Sequence, residues 1–548
     1  MMIKKKKFFI LLVTFFLIFF LAISTNATVY MDIDNDGQKE ACYIVDQNHP
    51  NASNSWTREQ NDEEHPWKDA WYGAQQLYPG DVLLIKEGWY WNPNVHDVYD
   101  CGIKPARSGT PEAPITIKAY PGHTVYLSGG PGPDTDPNNF INMAIGTHHL
   151  YRSGFTDYIV IDGFKIYGAV GLVRTHGSVL KNCEIWGGGS GPGNFGNCIR
   201  LEWAYDCKIV NNIIHDNVRI TTEHPHNCPL LMAYNIYDCI IEHNEFYNSV
   251  TLGIRLKSNP HRVTVRYNIF HNNPSAAIKA TTNGDPIAED VYVYQNIIRN
   301  NQTGVVICQE NYPDGDIFRG YYVYNNVFYN NLQDISYWYG GVEDIFIYNN
   351  IYSGSSHTFY SWREPSDINE SDYNCFHDPN GNWKVRWQVV ATSLSQWQSY
   401  GDYQFDTHSI ADDPLFVNPE AGDFHLRENS PCRNGKDSVN MGCYITGNEI
   451  IGPILNQGPQ VSNESPARNA TDVPRNTNIS FDITDSDGVD QSSISVSVNG
   501  NNVTSSCTIT AISNGFHVLY DPPEDFDYRQ DVTVLVTATD GLGNTTND

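Results

Sequence analysis

The chain has 548 residues, with 63 acidic and 34 basic side chains and a formal net charge of −29, and 13% of its residues are aromatic. A chain of this length can form a large core together with an accessory domain. The strong negative charge argues against a nucleic-acid partner, so an anionic ligand would need a local basic patch.

Residues 1–27 carry the features of an export signal. Lys4 to Lys7 precede an apolar run from Phe8 to Ile23, and small residues near Ala27 suit cleavage after that position. The run is slightly long for a signal peptide, so an uncleaved membrane anchor is the alternative. Both interpretations predict a protein that is secreted or held at the cell surface.

An acidic stretch, DIDNDG, follows the signal. Asp32, Asp34, Asp36 and Gly37 resemble the start of a calcium-binding loop, but an EF-hand needs a Glu six residues after the Gly, where Tyr43 stands. A calcium ion bound outside an EF-hand and a solvated acidic turn both fit this stretch. No zinc-type spacing of Cys and His occurs, so the sequence predicts no other metal or cofactor.

Residues 28–128 are predicted to form an N-terminal cap and the first coils of a repetitive fold. A helix is expected from about Trp67 to Leu77, followed by a turn at Pro79-Gly80-Asp81 and then the first strands. This block resembles the N-terminal cap of secreted right-handed parallel β-helix proteins, the pectate-lyase-like superfamily, in which a helix plugs the first coil. A cap is also required physically, because the open end of a solenoid exposes its core.

Residues 129–445 carry a short repeated phrase, as in VTVRYNIFHNN from Val263 and YYVYNNVFYNN from Tyr321. Each strand-like run ends in an Asn, and the eight are Asn182, Asn212, Asn244, Asn268, Asn296, Asn326, Asn350 and Asn374. Successive members of this set are 24 to 32 residues apart, which is typical of a solenoid. The blades of a propeller would need ~40–50 residues each. The alternating apolar runs suit short strands with one buried face, which predicts an all-β, right-handed parallel β-helix.

The Asn column has a physical reason in such a fold. Asn tolerates the left-handed conformation that a sharp turn between strands demands, and stacked Asn side chains can bond one another from coil to coil. Cysteines also recur at matching positions, which leaves disulfides and stacked free thiols both open. The candidate pairs are Cys207 with Cys239, Cys198 with Cys228, and Cys432 with Cys443.

The repeats close with a segment from Asp413 to Asp437 that resembles the C-terminal coil of the same β-helix proteins. A linker is predicted at 446–465. Residues 466–548 then alternate with period two between turns and resemble a bacterial Ig-like β-sandwich module. One more strand would be expected after Asp548, which predicts a truncated module, and such a module implies association with the cell surface.

The strands that open successive coils carry the candidate site. In GIRLKS, period two places Ile254 and Leu256 inside, so that Arg255 and Lys257 point outward. The same register turns further polar residues outward, namely Arg200, Glu202 and Lys279, with Arg174 and His176 on the same face one coil earlier. Arg255 and Lys279 should then lie about 4.8 Å apart. Like charges this close favour an anionic ligand, and the alternative is a solvated face bridged by Glu202.

One local resemblance concerns the reaction. The segment from Gly253 to Phe270 resembles the Lys-Ser strand and turn of the alginate lyase and chondroitinase B family of β-helix lyases. The resemblance spans one coil and implies that Lys257 is the catalytic base, with Lys279 near the position of a second basic residue. Val250 and Leu252 replace the calcium-binding acids of that family, and its Arg-His-Gly motif is absent. Neutralisation of the substrate's carboxylate is therefore expected to need no metal or to use a metal held elsewhere.

β-Elimination on a uronate explains this set of residues chemically. The carboxylate must be neutralised, here by Arg200, Arg255 or Lys279, before the C5 proton can leave. The base must be a neutral amine, which neighbouring cations favour. Trp203 and Trp338 are expected to stack on sugar rings, and the candidate acids are His176, His224 and His226. We therefore predict cleavage of an acidic polysaccharide. The alternatives are a hydrolase, for which Glu202 lacks a paired carboxylate, and a non-catalytic adhesion protein.

Overall fold

The structure is a computed structural model. It describes residues 29–31, 39–97, 99–132, 143–188, 196–218, 228–282, 287–309, 317–338, 342–361, 368–378, 385–386, 390–400, 404–454, 458–468, 470–485, 488–512, 514–540 and 545–547.

The chain winds through three parallel sheets, and strands of successive coils pair in register, which confirms the parallel β-helix. The first sheet contains Cys101–Ile103, Met143–Gly146, Val170–His176, Ile199–Tyr205, Leu231–Tyr237, the first part of Leu252–Arg266, Ala276–Thr282, Thr303–Gln309, Gln333–Trp338, His357–Ser361 and Val385–Arg386, with Val390–Ala391 antiparallel at its end. The second sheet contains Val29–Met31, antiparallel, then Glu40–Val45, Asp81–Ile85, Ile115–Ala119, Ile159–Asp162, Val179–Lys181, Lys208–Val210, Ile240–Glu242, the rest of Leu252–Arg266, Ile287–Tyr294, Ile317–Tyr324, Val342–Tyr348 and Ile368–Asp372. The third sheet contains Gly88–Tyr90, Val125–Ser128, Lys165–Tyr167, Glu184–Trp186, Ile213–His215, Glu245–Tyr247, Ile269–His271, Ile297–Arg299, Val327–Tyr329, Ile351–Ser353 and Cys375–His377.

A ladder of buried asparagines runs along the helix. Its members are Asn212, Asn244, Asn268, Asn296, Asn326, Asn350 and Asn374, all with 0% exposure. The Nδ2 of Asn268 donates to the Oδ1 of Asn296 at 3.0 Å, and its Oδ1 accepts from the backbone N–H of Asn244 at 2.9 Å. Each step therefore satisfies both amide groups inside the core, where an unpaired polar group would be costly.

Two details of the predicted Asn column are wrong. Asn182 does not belong to the ladder. It is exposed and aligns with Asn211, and the ladder position in its coil is Cys183, whose N–H donates to the Oδ1 of Asn212. The left-handed residue is also not the ladder asparagine but the residue before it, as at His243 with φ 54°. The ladder asparagines therefore serve as hydrogen-bonding groups, and the residue before each of them makes the turn.

Carboxylates stand at the ends of two ladders. Asp406, with 0% exposure, accepts from Asn374 and three other donors, and burial raises its pKa. A second ladder runs through Asn273, Asn301 and Asn331. There Asp334 accepts from Asn331 at 3.1 Å and Ser355 at 2.7 Å, and burial raises the pKa of Asp334 to about 8.

The predicted cap helix is present as Ala70–Gln76. Its buried face, which includes Ala70 and Ala74, joins the main core, and Trp67 pairs with the first coil through Ile44 and stacks on Tyr43 with ring centroids 5.5 Å apart. The small residues of the helix allow this close approach to the first strands. The helix therefore covers the open end of the core. A second short helix, Leu394–Gln398, contributes Trp397 to the core beside the last coils.

The C-terminal coil is followed by a segment that runs back along the outside of the third sheet. After a hairpin of Phe416–Asn418 and Asp423–Leu426, residues 436–452, here called the strap, bond to four successive coils. The bonds join the strap to Asn349, Asn325, Gln295 and Tyr267. Strap residues such as Met441 and Tyr444 cover an apolar column formed by Ile297, Val327, Ile351 and Cys375.

The described cysteines are all free thiols, and every one except Cys507 is buried. The thiols of Cys207 and Cys239 are in hydrogen-bond contact, which matches the stacked-thiol alternative, and burial helps to raise the pKa of Cys239. The suggested pairing of Cys432 with Cys443 is wrong, because Cys432 contacts the thiol of Cys375 on the last coil.

The C-terminal residues form two antiparallel four-stranded sheets around a separate core. One sheet contains Gln460–Ser465, Ile479–Thr484, Gly515–Tyr520 and Cys507–Ile512, and the other contains Asn501–Asn502, Ser495–Val498, Val534–Thr539 and Thr545–Asn547. The Ig-like identity of this module and the domain boundaries stay predictions. No helix among the described residues is long and apolar enough to cross a lipid bilayer, and the signal segment lies outside the described residues.

Candidate functional site

The outward side chains of the first sheet form two adjacent columns, here called the basic face. In the first column Arg200, Met232, Arg255 and Lys279 occupy paired positions on four successive strands. The second column, two residues along each strand, contains Glu202, Tyr234, Lys257 and Thr281. The core positions between them, such as Ile254 and Leu256, are 0% exposed, so the predicted inward and outward register is present here.

Three cations meet at the centre of the basic face. Arg255 pairs directly with Lys279 on the neighbouring strand, and Lys257 lies two residues beyond Arg255. Arg255 is only 4% exposed although it points away from the helix interior, while Lys257 and Lys279 are half-buried. Like charges on adjacent strands repel, and partial burial weakens the screening by water. This arrangement favours a bound anion that touches more than one of the three groups.

Arg200, at the other end of the first column, is paired with Glu202. Its Nε and Nη2 donate to the same oxygen of Glu202 at 2.8 and 2.5 Å. Its guanidinium also lies 4.4 Å from the ring centroid of Tyr234, and the Nζ of Lys257 lies 5.8 Å from the same ring. The carboxylate of Glu202 therefore balances the charge of Arg200, and the pair holds Tyr234 next to Lys257.

A β-bulge follows Lys257 immediately. Ser258 and Asn259 both have left-handed φ values, 53° and 56°, and they face the single left-handed residue Asn235 of the preceding strand. One extra residue is therefore inserted between Lys257 and Pro260. Bulges of this kind bend the strand and redirect neighbouring side chains, and they are frequent beside active sites. The sequence showed the Lys-Ser-Asn-Pro stretch but not the extra residue.

Arg174 and His176 do not extend the cation columns, which corrects the predicted alignment. Gly171 and Val173 are the residues that pair with Arg200 and Glu202. Arg174 itself has a left-handed φ of 49°, and its Nε donates to the carbonyl of Leu150 at 3.1 Å. The Nδ1 of His176 lies 2.9 Å from the carboxylate of Asp157, at the far end of the strand. Both residues hold the loop at 147–157.

The other predicted site residues are placed as follows. Trp203 is 37% exposed and takes a left-handed φ of 51°, directly after Glu202 on the basic face. Trp338 pairs with Cys308 through its backbone, and its side chain lies outside the described part of the chain. His224 and His226 also lie outside the described residues.

Two tyrosines of the site were missed by the sequence reasoning. Tyr234 lies between Glu202 and Lys257 in the second column, and the register of PLLMAY could have identified it. Tyr151 is 62% exposed on the 147–157 loop, and its pKa is raised by partial burial and then shifted in opposite directions by Arg200 and Glu202. No spacing in the sequence indicates that this loop approaches the basic face.

Among the residues that the structure describes, no group of three His, Cys, Asp or Glu side chains is arranged to hold a metal ion. The acidic stretch from Asp32 to Asp36 lies outside them. In the C-terminal module Asp482 bonds His517 and Asp490 bonds the N–H of Ser492, so these two acids have protein partners.

No protein-family model and no curated protein matches the chain. Among solved structures it is similar to pectate lyase Pel9A, with a TM-score of 0.47 and 11% identity over 73% of this chain and 95% of that one. It is also similar to an exopolygalacturonase from Thermotoga maritima, with a TM-score of 0.36 and 10% identity over 57% of this chain and 86% of that one. A third similarity is to the surface protein and adhesin PfbA of Streptococcus pneumoniae, with a TM-score of 0.35 and 11% identity over 62% of this chain and 93% of that one. Similarities this low assign neither a family nor an activity.

Proposed function

We propose that this protein is a secreted or cell-surface enzyme that cleaves an acidic, uronate-containing polysaccharide by β-elimination. The observation that supports it is the cluster of Arg255, Lys279 and Lys257 on adjacent outward positions of a chain with a net charge of −29. Basic side chains concentrated on one face of an acidic chain suit an anionic ligand. A uronate carboxylate supplies that anion and carries, next to it, the acidic C–H bond that elimination requires.

Each step of the reaction has a candidate residue. Arg255 and Lys279 bind the carboxylate and stabilise the negative charge that develops when the C5 proton leaves. Lys257, as the neutral amine, accepts that proton. The C4–O bond then breaks as the C4–C5 double bond forms, and the leaving oxygen takes a proton from the hydroxyl of Tyr234. Lys257 ends protonated and Tyr234 deprotonated, and exchange with water resets both groups.

Tyr234 is proposed as the acid in place of His176. Its ring is held between Arg200 and Lys257, with contacts of 4.4 and 5.8 Å to the two cations. Tyr234 also pairs with Lys257 on the neighbouring strand, which places an O–H donor beside the proposed base. His176 is engaged with Asp157 and lies outside the two columns of the basic face.

The test is the ultraviolet absorbance of unsaturated uronate during incubation with polygalacturonate, alginate and glycosaminoglycans, with and without a chelator. We expect the signal to grow on at least one substrate. Lys257→Ala should abolish turnover and keep binding. Lys165→Ala, which removes a half-exposed lysine paired with Glu184 on the third sheet, should leave turnover unchanged. No absorbance on any substrate, with no new reducing ends, would refute the enzymatic proposal.

A non-catalytic carbohydrate-binding role is the second candidate. It is supported by the separate C-terminal sandwich, a type of module that can attach a protein to a cell surface. The same experiment separates the two, because a binding protein retains polysaccharide without producing unsaturated ends. A hydrolase is less favoured, because the carboxylate of Glu202 is bound to Arg200.

A further inference from the structure

Three large exposed aromatic side chains lie on two segments that contact each other, the 147–157 loop and the strand Ile199–Tyr205, and we call them the aromatic platform. Tyr151 is 62% exposed, Phe155 is 42% exposed and Trp203 is 37% exposed. Apolar surface that is exposed in a cluster beside a charged face indicates a binding surface rather than core. Within the part of the chain that the structure describes, none of these three rings belongs to a hydrophobic core cluster.

The loop that carries two of these rings is held firmly. The hydroxyl of Thr147 exchanges hydrogen bonds with the backbone N–H and carbonyl of Val173, each at 2.8 Å. Leu150 accepts from Arg174 and donates to the carbonyl of Tyr99. The loop is thus tied to two neighbouring coils. Its aromatic side chains can bind a ligand with little loss of backbone entropy, which is the advantage of a preorganised surface.

A hydrogen bond between the buried ring of His149 and the exposed carboxylate of Asp97 supports the same loop. The Nε2 of His149 lies 2.7 Å from the carboxylate of Asp97, and its Nδ1 accepts from the N–H of Tyr151 at 3.0 Å. The ring of Tyr99 packs edge-on against Tyr151, with centroids 4.6 Å apart. Tyr151 is therefore presented to solvent by specific contacts.

The platform meets the basic face at Trp203, which follows Glu202 in sequence. Phe155 lies further along, at the far end of the strand of Trp203, with its ring 6.3 Å from Tyr205 and 5.0 Å from His176. The strand of Trp203 is three strand steps from the strand of Lys279, a distance of about 14 Å along the helix axis. A ligand that touches both ends must be an extended chain of several units.

We infer that Tyr151, Phe155 and Trp203 form a sugar-stacking subsite, which binds the apolar face of a pyranose ring in the same polysaccharide whose carboxylate lies at Arg255 and Lys279. Rigid aromatic rings with a polar edge suit a ligand that presents C–H faces between hydroxyl groups. This inference rests on the proposed function. It adds that the ligand runs along the helix axis and that oligosaccharides long enough to reach both areas bind better than short ones.

The test uses the full chain and calorimetric titration with sized oligosaccharides, of two to eight units, prepared from polygalacturonate, alginate and hyaluronate. The wild type and the variants are all titrated in a Lys257→Ala background, which prevents cleavage, and we expect affinity to rise with length for the otherwise wild-type chain. Trp203→Ala and the double change Tyr151→Ala with Phe155→Ala should each weaken binding of the longer oligosaccharides about tenfold. Tyr528→Ala, at an 83% exposed tyrosine of the C-terminal module, is the control and should have no effect.

Salt dependence distinguishes stacking from charge. The platform variants should keep the wild-type dependence of affinity on salt, whereas Arg255→Ala should reduce it, because only the basic face binds through charge. Platform variants that bind like the wild type, or that lose the salt dependence together with affinity, would overturn the inference. Absence of wild-type binding to every oligosaccharide would instead refute the proposed function on which it rests.

Discussion

Asn296, at the middle of the buried ladder, gives a direct test of what holds the β-helix together. Its Oδ1 accepts from the backbone N–H and the Nδ2 of Asn268, each at 3.0 Å. Its Nδ2 donates to the carbonyls of Val265 and Tyr294, each at 2.9 Å, and to the Oδ1 of Asn326 at 3.0 Å. Asn296→Ala removes all five bonds at a site with 0% exposure. The backbone N–H of Asn268 then loses its acceptor inside the core, whereas its Nδ2 keeps the carbonyls of Ile241 and Arg266.

The expected loss of stability follows from these contacts. A buried donor or acceptor left without a partner costs about 1–3 kcal/mol, and the backbone N–H of Asn268 is left so. The other lost bonds and the cavity left by the side chain add about 1 kcal/mol, so we expect Asn296→Ala to lower the free energy of unfolding by about 2–4 kcal/mol. Asn182→Ala is the matched control, because Asn182 is exposed and lies outside the ladder. It should cost about 1 kcal/mol, because Ala tolerates the left-handed φ of 56° at this position less well than Asn.

The assay is urea unfolding followed by circular dichroism and by tryptophan fluorescence. Both the midpoint and the slope are needed, because in a solenoid a defect in one coil can divide the array into two cooperative units. A lower slope would indicate such a division. Equal effects of Asn296→Ala and Asn182→Ala would show that the ladder bonds contribute no more than surface contacts do.

Three further predictions follow from other parts of the molecule. Burial raises the pKa of Asp334 to about 8, so the folded state keeps a proton that the unfolded state loses, and stability should fall as pH rises from about 4 to 8. Asp334→Asn should remove most of this fall in thermal unfolding measured across that range, and an unchanged pH profile would contradict the assignment. Tyr234→Phe should lower kcat about 100-fold and leave substrate affinity nearly unchanged, and a purely structural Tyr234 would lower both without altering the pH profile of kcat. Gly442→Val should lower stability by about 2 kcal/mol and increase binding of an apolar dye. Gly442 has φ +80°, and a Cβ there would lie 2.9 Å from the side chain of Ile351. Unchanged dye binding would argue that the strap tolerates the larger side chain.

The parts of the fold that depend on a repeated environment could be predicted from the sequence. The alternation of side chains along a strand was enough to predict that Ile254 points inward and Arg255 outward. The matching positions of Arg255 and Lys279 in successive coils were enough to predict that they are neighbours. The prediction failed where the backbone leaves the repeat. The left-handed φ of Arg174 interrupts the alternation, so counting in twos across it misplaced His176.

Errors also arose where one residue type serves two purposes. Asn182 and Asn212 look equivalent in the sequence, yet the first lies at a left-handed turn position and the second in the ladder. The approach of Tyr151 to the basic face could not be predicted, because it depends on how one loop is tied to Arg174 and Tyr99. Such contacts between irregular segments carry no periodic pattern.

The strap has a consequence for the order in which the molecule assembles. Ladder bonds between neighbouring coils join residues 24 to 32 positions apart, whereas the strap bonds at Asn349, Asn325 and Gln295 join residues 87, 115 and 148 positions apart. Contacts of long sequence separation form slowly, because a large loop must close before they contribute. The strap is also synthesised after all the coils that it covers. The apolar column of Ile297, Val327 and Ile351 is therefore expected to stay uncovered on the growing chain until the strap has been synthesised and has docked.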